Sequence, residues 1–181
     1  MRSRFARYAV TALAACAALA TTVPATADTG SVHDPWDPSV LDIREISHGH
    51  AGDGHVVHRV EFRERFAKRL LVRRFELYLE GRPGATFPFE SHIPLVYGRT
   101  LRDDDRIFMR FYYYDVEMVT HRLADVRLRK RPHAAVVVIP TSLVSTTTPF
   151  TYRWVATTEY KPEGEPKVDD QTPWLWHRIT A

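Results

Sequence analysis

Four histidines and one aspartate fall within residues 47–58, which read Ser-His-Gly-His-Ala-Gly-Asp-Gly-His-Val-Val-His. Gly49, Gly52 and Gly54 let this backbone fold tightly. His48, His50 and His55 with Asp53 then offer three nitrogens and one oxygen, a donor set that zinc or copper takes. The spacing matches no closed zinc motif. The competing reading is a polar hairpin with solvated imidazoles. His58 stands apart, because alternation places it with Val56, Val60 and Phe62. It is expected in the core with a hydrogen-bond partner.

A second group of residues is aromatic. Tyr78, Tyr112, Tyr114, Trp174 and Trp176 are candidates for a stacking surface, with Glu76 and Glu80 beside Tyr78 as polar orienting groups. Flat rings on a rigid sheet stack on sugars, and neighbouring polar groups fix orientation. Not every ring is free for this. Trp154 shares an alternating face with Tyr152 and Ala156, so it is expected inside. Tyr113 goes with Phe111 and Met109, opposite Tyr112 and Tyr114.

Signatures of catalysis are sparse. The chain has no Gly-x-Ser-x-Gly elbow, Gly-rich phosphate loop or His-Glu-x-x-His. Glu76 or Glu80 with Glu61 or Glu117 would hydrolyse a glycoside only at separations of about 5–5.5 or 6.5–9.5 Å. Asp103 to Asp105 lie between Arg102 and Arg106 and read as a solvated turn, not a calcium loop, which alternates ligands with spacers. Asp169 and Asp170 are read the same way.

Strands must position these groups. Val56 to Phe66 alternates apolar with charged residues, as do Phe75 to Glu80 and Thr151 to Tyr160. Ile107 to Val119 is rich in aromatic and β-branched residues, and Leu123 to Lys130 alternates more weakly. Ala135 to Ile139 is a continuous apolar run, expected as a strand buried on both faces. His92 to Tyr97 and Trp174 to Ile179 add a short strand and a last edge strand, and Ala67 to Leu71 a turn or short helical piece. The expected fold is all-β: an antiparallel, jelly-roll-like β-sandwich of about eight strands, with no substantial helix after the leader.

The N-terminus addresses the chain. Arg2, Arg4 and Arg7 precede an alanine-rich apolar run from Ala9 to Ala20, and Ala25-Thr26-Ala27 offers small residues for cleavage. Residues 1–27 therefore read as a secretory signal, 28–39 as a flexible leader and 40–181 as one β-sandwich domain. The alternative is lipid anchoring through Cys16 in Leu13-Ala14-Ala15-Cys16. The apolar run is shorter than the roughly 20 residues of a membrane span, and no later segment approaches that length. Removing Arg2, Arg4 and Arg7 takes Lys+Arg from 25 to 22, equal to the 22 Asp+Glu. A balanced domain gives no general argument for binding nucleic acid. Cys16 is the single cysteine, so no intramolecular disulfide forms.

Several short motifs occur in a fixed order. They are Leu41-Asp42-Ile43, Ile46-Ser47-His48-Gly49, Arg131-Pro132 before an apolar strand ending at Pro140, Tyr152-Arg153-Trp154, and a closing Asp170 to Pro173 with His177-Arg178. In this order the chain resembles small secreted proteins of high-GC Gram-positive bacteria. The resemblance implies a jelly-roll sandwich, distantly similar to carbohydrate-binding and DOMON-like domains, and carries no activity with it. The chain departs from that pattern in reading Gly81-Arg82-Pro83-Gly84 where an aspartate-rich segment is usual, and in lacking a C-terminal cysteine pair.

The expected function is a secreted, non-catalytic sandwich that binds an extracellular ligand, a glycan or cell-envelope component. Zinc or copper binding at residues 48–58 and hydrolysis of an unknown substrate are the alternatives.

Overall fold

The computed structural model describes residues 26–27, 29–36, 39, 41–52, 54–71, 75–81, 95–103, 106–115, 117–144, 149–160 and 167–180. Nearly all of the expected signal, together with Asp53, lies outside them.

Twelve strands occur among the described residues: β1 (Thr26–Ala27), β2 (Gly30–His33), β3 (Ile43–Gly52), β4 (His55–Phe62), β5 (Phe75–Gly81), β6 (Leu95–Asp103), β7 (Arg106–Tyr114), β8 (Thr120–Arg131), β9 (Ala134–Pro140), β10 (Phe150–Tyr160), β11 (Lys167–Gln171) and β12 (Leu175–Thr180). A single helical turn, α1 (Lys68–Leu71), follows β4, and a 3-10 turn at Thr141–Leu143 follows β9. Antiparallel pairing joins the strands in the order β1-β12-β10-β5-β6-β7-β8-β9-β4-β3-β2, with β11 added to β10. β12 also touches β2 and β3, so the two ends of this path meet and the sheet curls into a barrel-like closure.

The all-β antiparallel class agrees with the alternation in the sequence. The layering differs from the eight-stranded sandwich expected. β8 serves both halves, pairing β7 through Arg127 and β9 from Leu128 onward, so one sheet folds over where two separate sheets were expected. Gly30–His33, expected within a flexible leader, is a strand paired with Ser47 and its neighbours. β9 also differs: Ala135, Val137 and Ile139 are fully buried while Val136 and Val138 are half-buried, so its outer face keeps some solvent.

Period-two alternation places the core inside the curl. Phe62, Phe75, Leu77, Leu79, Met109, Phe111, Ile139, Tyr152 and Trp154 are almost wholly buried. Gly98 sits where β6 passes the large core rings: a Cβ there would lie 2.7 Å from Met109 Cγ and 2.7 Å from Phe111 Cε1. The β3–β4 turn uses Gly52 and Gly54 at φ of +75° and +69°, a region that side chains rarely adopt. No helix among the described residues is long and apolar enough to cross a membrane.

Candidate functional site

The histidine-rich segment forms a hairpin, not a loop around a central point. His48 on β3 stands directly opposite His58 on β4. Both rings point inward, at 6% and 0% exposure. His50 is exposed near the hairpin tip, and His55 is half-buried at the start of β4. Thus His48 parts from His50 and His55, and Asp53 lies outside the described residues. Among the described residues, these histidines form no group of three metal-ligating side chains with mutually close donor atoms.

His48 belongs to a different arrangement. Its ring stacks on His177 of β12, with centroids 3.9 Å apart and planes 6° apart. Trp154 Nε1 donates to His48 Nδ1 at 3.1 Å. Since the indole can only donate, His48 Nδ1 accepts, and the proton of the neutral ring sits on Nε2. Gly30 of β2 packs against this ring, for a Cβ there would come within 3.0 Å of His48 Nε2. The Tyr152 hydroxyl lies 2.9 Å from His58 Nε2 and 2.7 Å from His177 Nδ1. One hydroxyl proton serves two imidazoles: Tyr152 donates to one ring and accepts from the other. His58 Nδ1 has no hydrogen-bond partner among the described residues. Burial, with the neighbouring His177 and His48 rings, pushes the His58 pKa well below the usual imidazole value. His58 and Trp154 lie inside, as their strand faces require. His177 carries no alternation signal strong enough to place it among them.

The outer face of the same strands carries the aromatic candidates. Trp176 on β12 stands opposite Arg153 on β10, which stands opposite Glu80 on β5. Arg153 donates to Glu80 Oε2 from Nε at 3.1 Å and from Nη2 at 2.9 Å. Its guanidinium carbon lies 4.6 Å from the Trp174 ring centroid and 5.9 Å from that of Trp176. In the next row Val155, Tyr78, Tyr97 and Tyr112 stand in register across β10, β5, β6 and β7. Tyr78, Tyr112, Tyr114 and Trp174 are half-buried, and Trp176 is 46% exposed. Phe111 and Met109 take the inner face of β7, which turns Tyr112 and Tyr114 outward. Register and alternation set Trp176, Tyr78, Tyr112 and Tyr114 on one outward face, about 19 Å wide across four strand spacings, and the Arg153 contact brings Trp174, which precedes β12, beside Trp176. Trp36, 71% exposed, is a further open ring that sequence reasoning passed over.

The carboxylates on this face are held differently from one another. Tyr78 donates to Glu76 Oε2 at 2.5 Å. Burial raises the Glu76 carboxyl, and nearby Glu159 adds to it while Tyr78 and Arg99 oppose it. Burial and the bond to Glu76 likewise push the Tyr78 phenol up. Glu61 is on β4, which is not a neighbour of β5. Against a burial penalty, Arg59 and Arg44 hold its carboxyl low. Glu117 is exposed in the β7–β8 turn. The carboxylate pairs weighed for glycoside hydrolysis are thus not made by strand adjacency.

One acidic cluster had no signal in the sequence spacing. Asp34, Asp42 and Asp170 bring one oxygen each within 4.8 Å of one another. Asp170, expected in a solvated turn, is 4% exposed on β11 and accepts the Ile43 backbone N–H at 2.6 Å. Arg63 supplies the counter-charge, with Nε 2.8 Å from Asp42 Oδ2 and Nη2 donating to the Asp34 carbonyl at 2.7 Å. This arrangement clamps the segment between β2 and β3 against β11. Of the Asp103 to Asp105 run, Asp103 ends β6, and residues 104–105 lie outside the described residues.

No protein-family model matches the chain, and no curated protein or solved structure matches it either.

Proposed function

We propose that this chain is an exported, non-catalytic binding protein whose outward aromatic face takes a glycan, or another cell-envelope component with flat apolar sugar faces. The observation that carries this reading is the register. Trp176, Tyr78 and Tyr112 share one side of neighbouring strands, Trp174 lies just before β12 against Arg153, and the Arg153–Glu80 pair lies between the tryptophans and Tyr78. Stacking on rings supplies affinity, and the fixed charges supply orientation. Arg153 lies over the tryptophan rings and is held there by Glu80, which limits their rotation and lowers the ordering cost on binding. Export rests on the composition of residues 1–27. Cleavage after Ala27 would remove β1 and leave β12 facing β2 at the seam.

The test is tryptophan fluorescence during titration with a panel of soluble polysaccharides, repeated on a Trp174→Ala/Trp176→Ala double variant. The expected result is a saturable change for at least one polysaccharide that the double variant loses. A flat response across the panel, or an unchanged response in the double variant, rejects the reading.

A further inference from the structure

β8 changes partners in mid-strand. It pairs with β7 up to Arg127, opposite Phe108, and with β9 from Leu128, opposite Val137. Beyond that point the start of β7 and the end of β8 diverge like a fork. A cavity of about 380 Å³ opens there, lined by Arg106, Ile107, Arg127, Leu128, Arg129, Lys130 and Arg131. Five of those seven residues are cationic, and no acid lines the cavity among the described residues.

The charges are exposed and uncommitted. Arg106, Arg127, Arg129 and Arg131 are all solvent-exposed and make no ion pair among the described residues. Lys130 lies with its ammonium 5.3 Å from the Phe66 ring centroid, a contact that fixes the stem and leaves the charge unpaired. The contrast with the upstream half of β8 is direct. There Arg122 and Arg110 both bond Asp125, at 2.6 Å and 2.7 Å. Sequence alternation puts Arg127, Arg129 and Arg131 on one side of the strand, successive guanidinium stems being about 6.6 Å apart. Uncompensated like charges along a strand repel one another, and an anion relieves that repulsion.

We infer that this fork is an anion-binding groove, and that its ligand is a linear polymer carrying repeated oxyanions, phosphodiester or carboxylate, without stacked bases. Three guanidinium forks in line match oxyanions recurring along a chain, each able to accept two parallel N–H bonds. Single-stranded nucleic acid binds on aromatic platforms, and no aromatic residue lines this cavity among the described residues. The groove is built on β7 and β8 and so is separate from Trp174, Trp176 and Arg153. It stands or falls independently of the aromatic face.

The experiment uses the full processed protein and fluorescently labelled poly(glycerol phosphate), polygalacturonate and single-stranded oligothymidine at several salt concentrations. The variants are Arg127→Gln/Arg129→Gln/Arg131→Gln and, as a control on the other face, Trp176→Ala. These arginines are exposed, so circular dichroism and the thermal midpoint should match the parent, which separates lost binding from lost folding. The expected result is binding of one or both base-free polymers that weakens with salt. In the triple variant it falls by at least about thirtyfold and the salt slope shrinks by about 2. The arm that binds identifies the oxyanion as phosphate or carboxylate. Failure of both polymers at low salt overturns the inference, as does a triple variant within twofold of the parent. Oligothymidine binding as tightly as either polymer overturns the choice of a base-free chain. An equal loss in Trp176→Ala overturns the placement at the fork.

Discussion

Strand β10 presents two aromatic chemistries on its two faces. Inward, Tyr152 and Trp154 spend their polar atoms on His58, His177 and His48, and all five side chains are at most 6% exposed. Outward, Arg153 reaches the rings of Trp174 and Trp176, and Trp176 keeps nearly half of its surface open. The residue types are similar; the free energy is used differently. The inner group is buried and exchanges hydrogen bonds among its own members, so it serves stability and specifies one packing. The outer group leaves apolar ring surface in water, which costs the fold little and remains for a ligand to cover. An interior substitution should therefore move stability, and an exterior one should move binding.

The largest effect expected is at Tyr152. Tyr152→Phe keeps the ring and removes the hydroxyl shared by His58 Nε2 and His177 Nδ1. Two buried bonds disappear, and the unfolding free energy from urea titration should fall by about 3 kcal/mol. A variant as stable as the parent would break the contrast, since the inner network would then contribute nothing. Next is Gly98→Ala. Its methyl group would be driven into Met109 and Phe111 at 2.7 Å, with a cost of about 2 kcal/mol from overpacking, readable in the same titration.

Acid should act on the inner region before it reaches the carboxylates. His58 has a depressed pKa in the folded state, against an ordinary value of 6.5. Between those two values the unfolded chain binds the proton and the folded chain does not. Stability is thus complete above pH 6.5 and drains away as pH falls toward the folded value, at up to about 1.4 kcal/mol per pH unit for this one ring. Denaturation midpoints at pH 7.5, 6.5 and 5.5 test the sign. A midpoint that rises on acidification would show that His58 gains a proton partner on folding. In His58→Gln the slope should flatten.

The inner and outer faces were not equally legible in the sequence. Alternation alone separated Trp154 from Arg153, His58 from Arg59 and Tyr112 from Tyr113, because a strand's period is a local property. The same locality hid what depends on register between distant strands. His48 looked like a partner of His50 and His55, which are near in sequence. Closure of the curl instead brings it under His177, 129 positions away, and no local pattern encodes that meeting. Asp170 had a polar, proline-bearing context typical of a solvated turn. Its burial comes from Ile43, whose backbone N–H needed an acceptor at the start of β3. The sandwich expectation failed at β8 for a related reason. Its weak alternation was the mark of a strand that changes sides of the molecule, serving β7 first and β9 afterwards.

The smallest expected change in stability is also the most informative about the outer face. Trp176 is 46% exposed, with the Arg153 guanidinium carbon 5.9 Å from its ring centroid. Trp176→Ala should shift unfolding by no more than about 0.5 kcal/mol. If the ring stacks on a ligand, the same change should weaken polysaccharide binding by about tenfold, and Trp176→Phe should recover part of it through the remaining flat face. The two readouts must separate for the contrast to hold. Loss of stability without loss of binding would place Trp176 with the inner group in function, whatever its exposure, because a ring that matters only to folding is part of the scaffold.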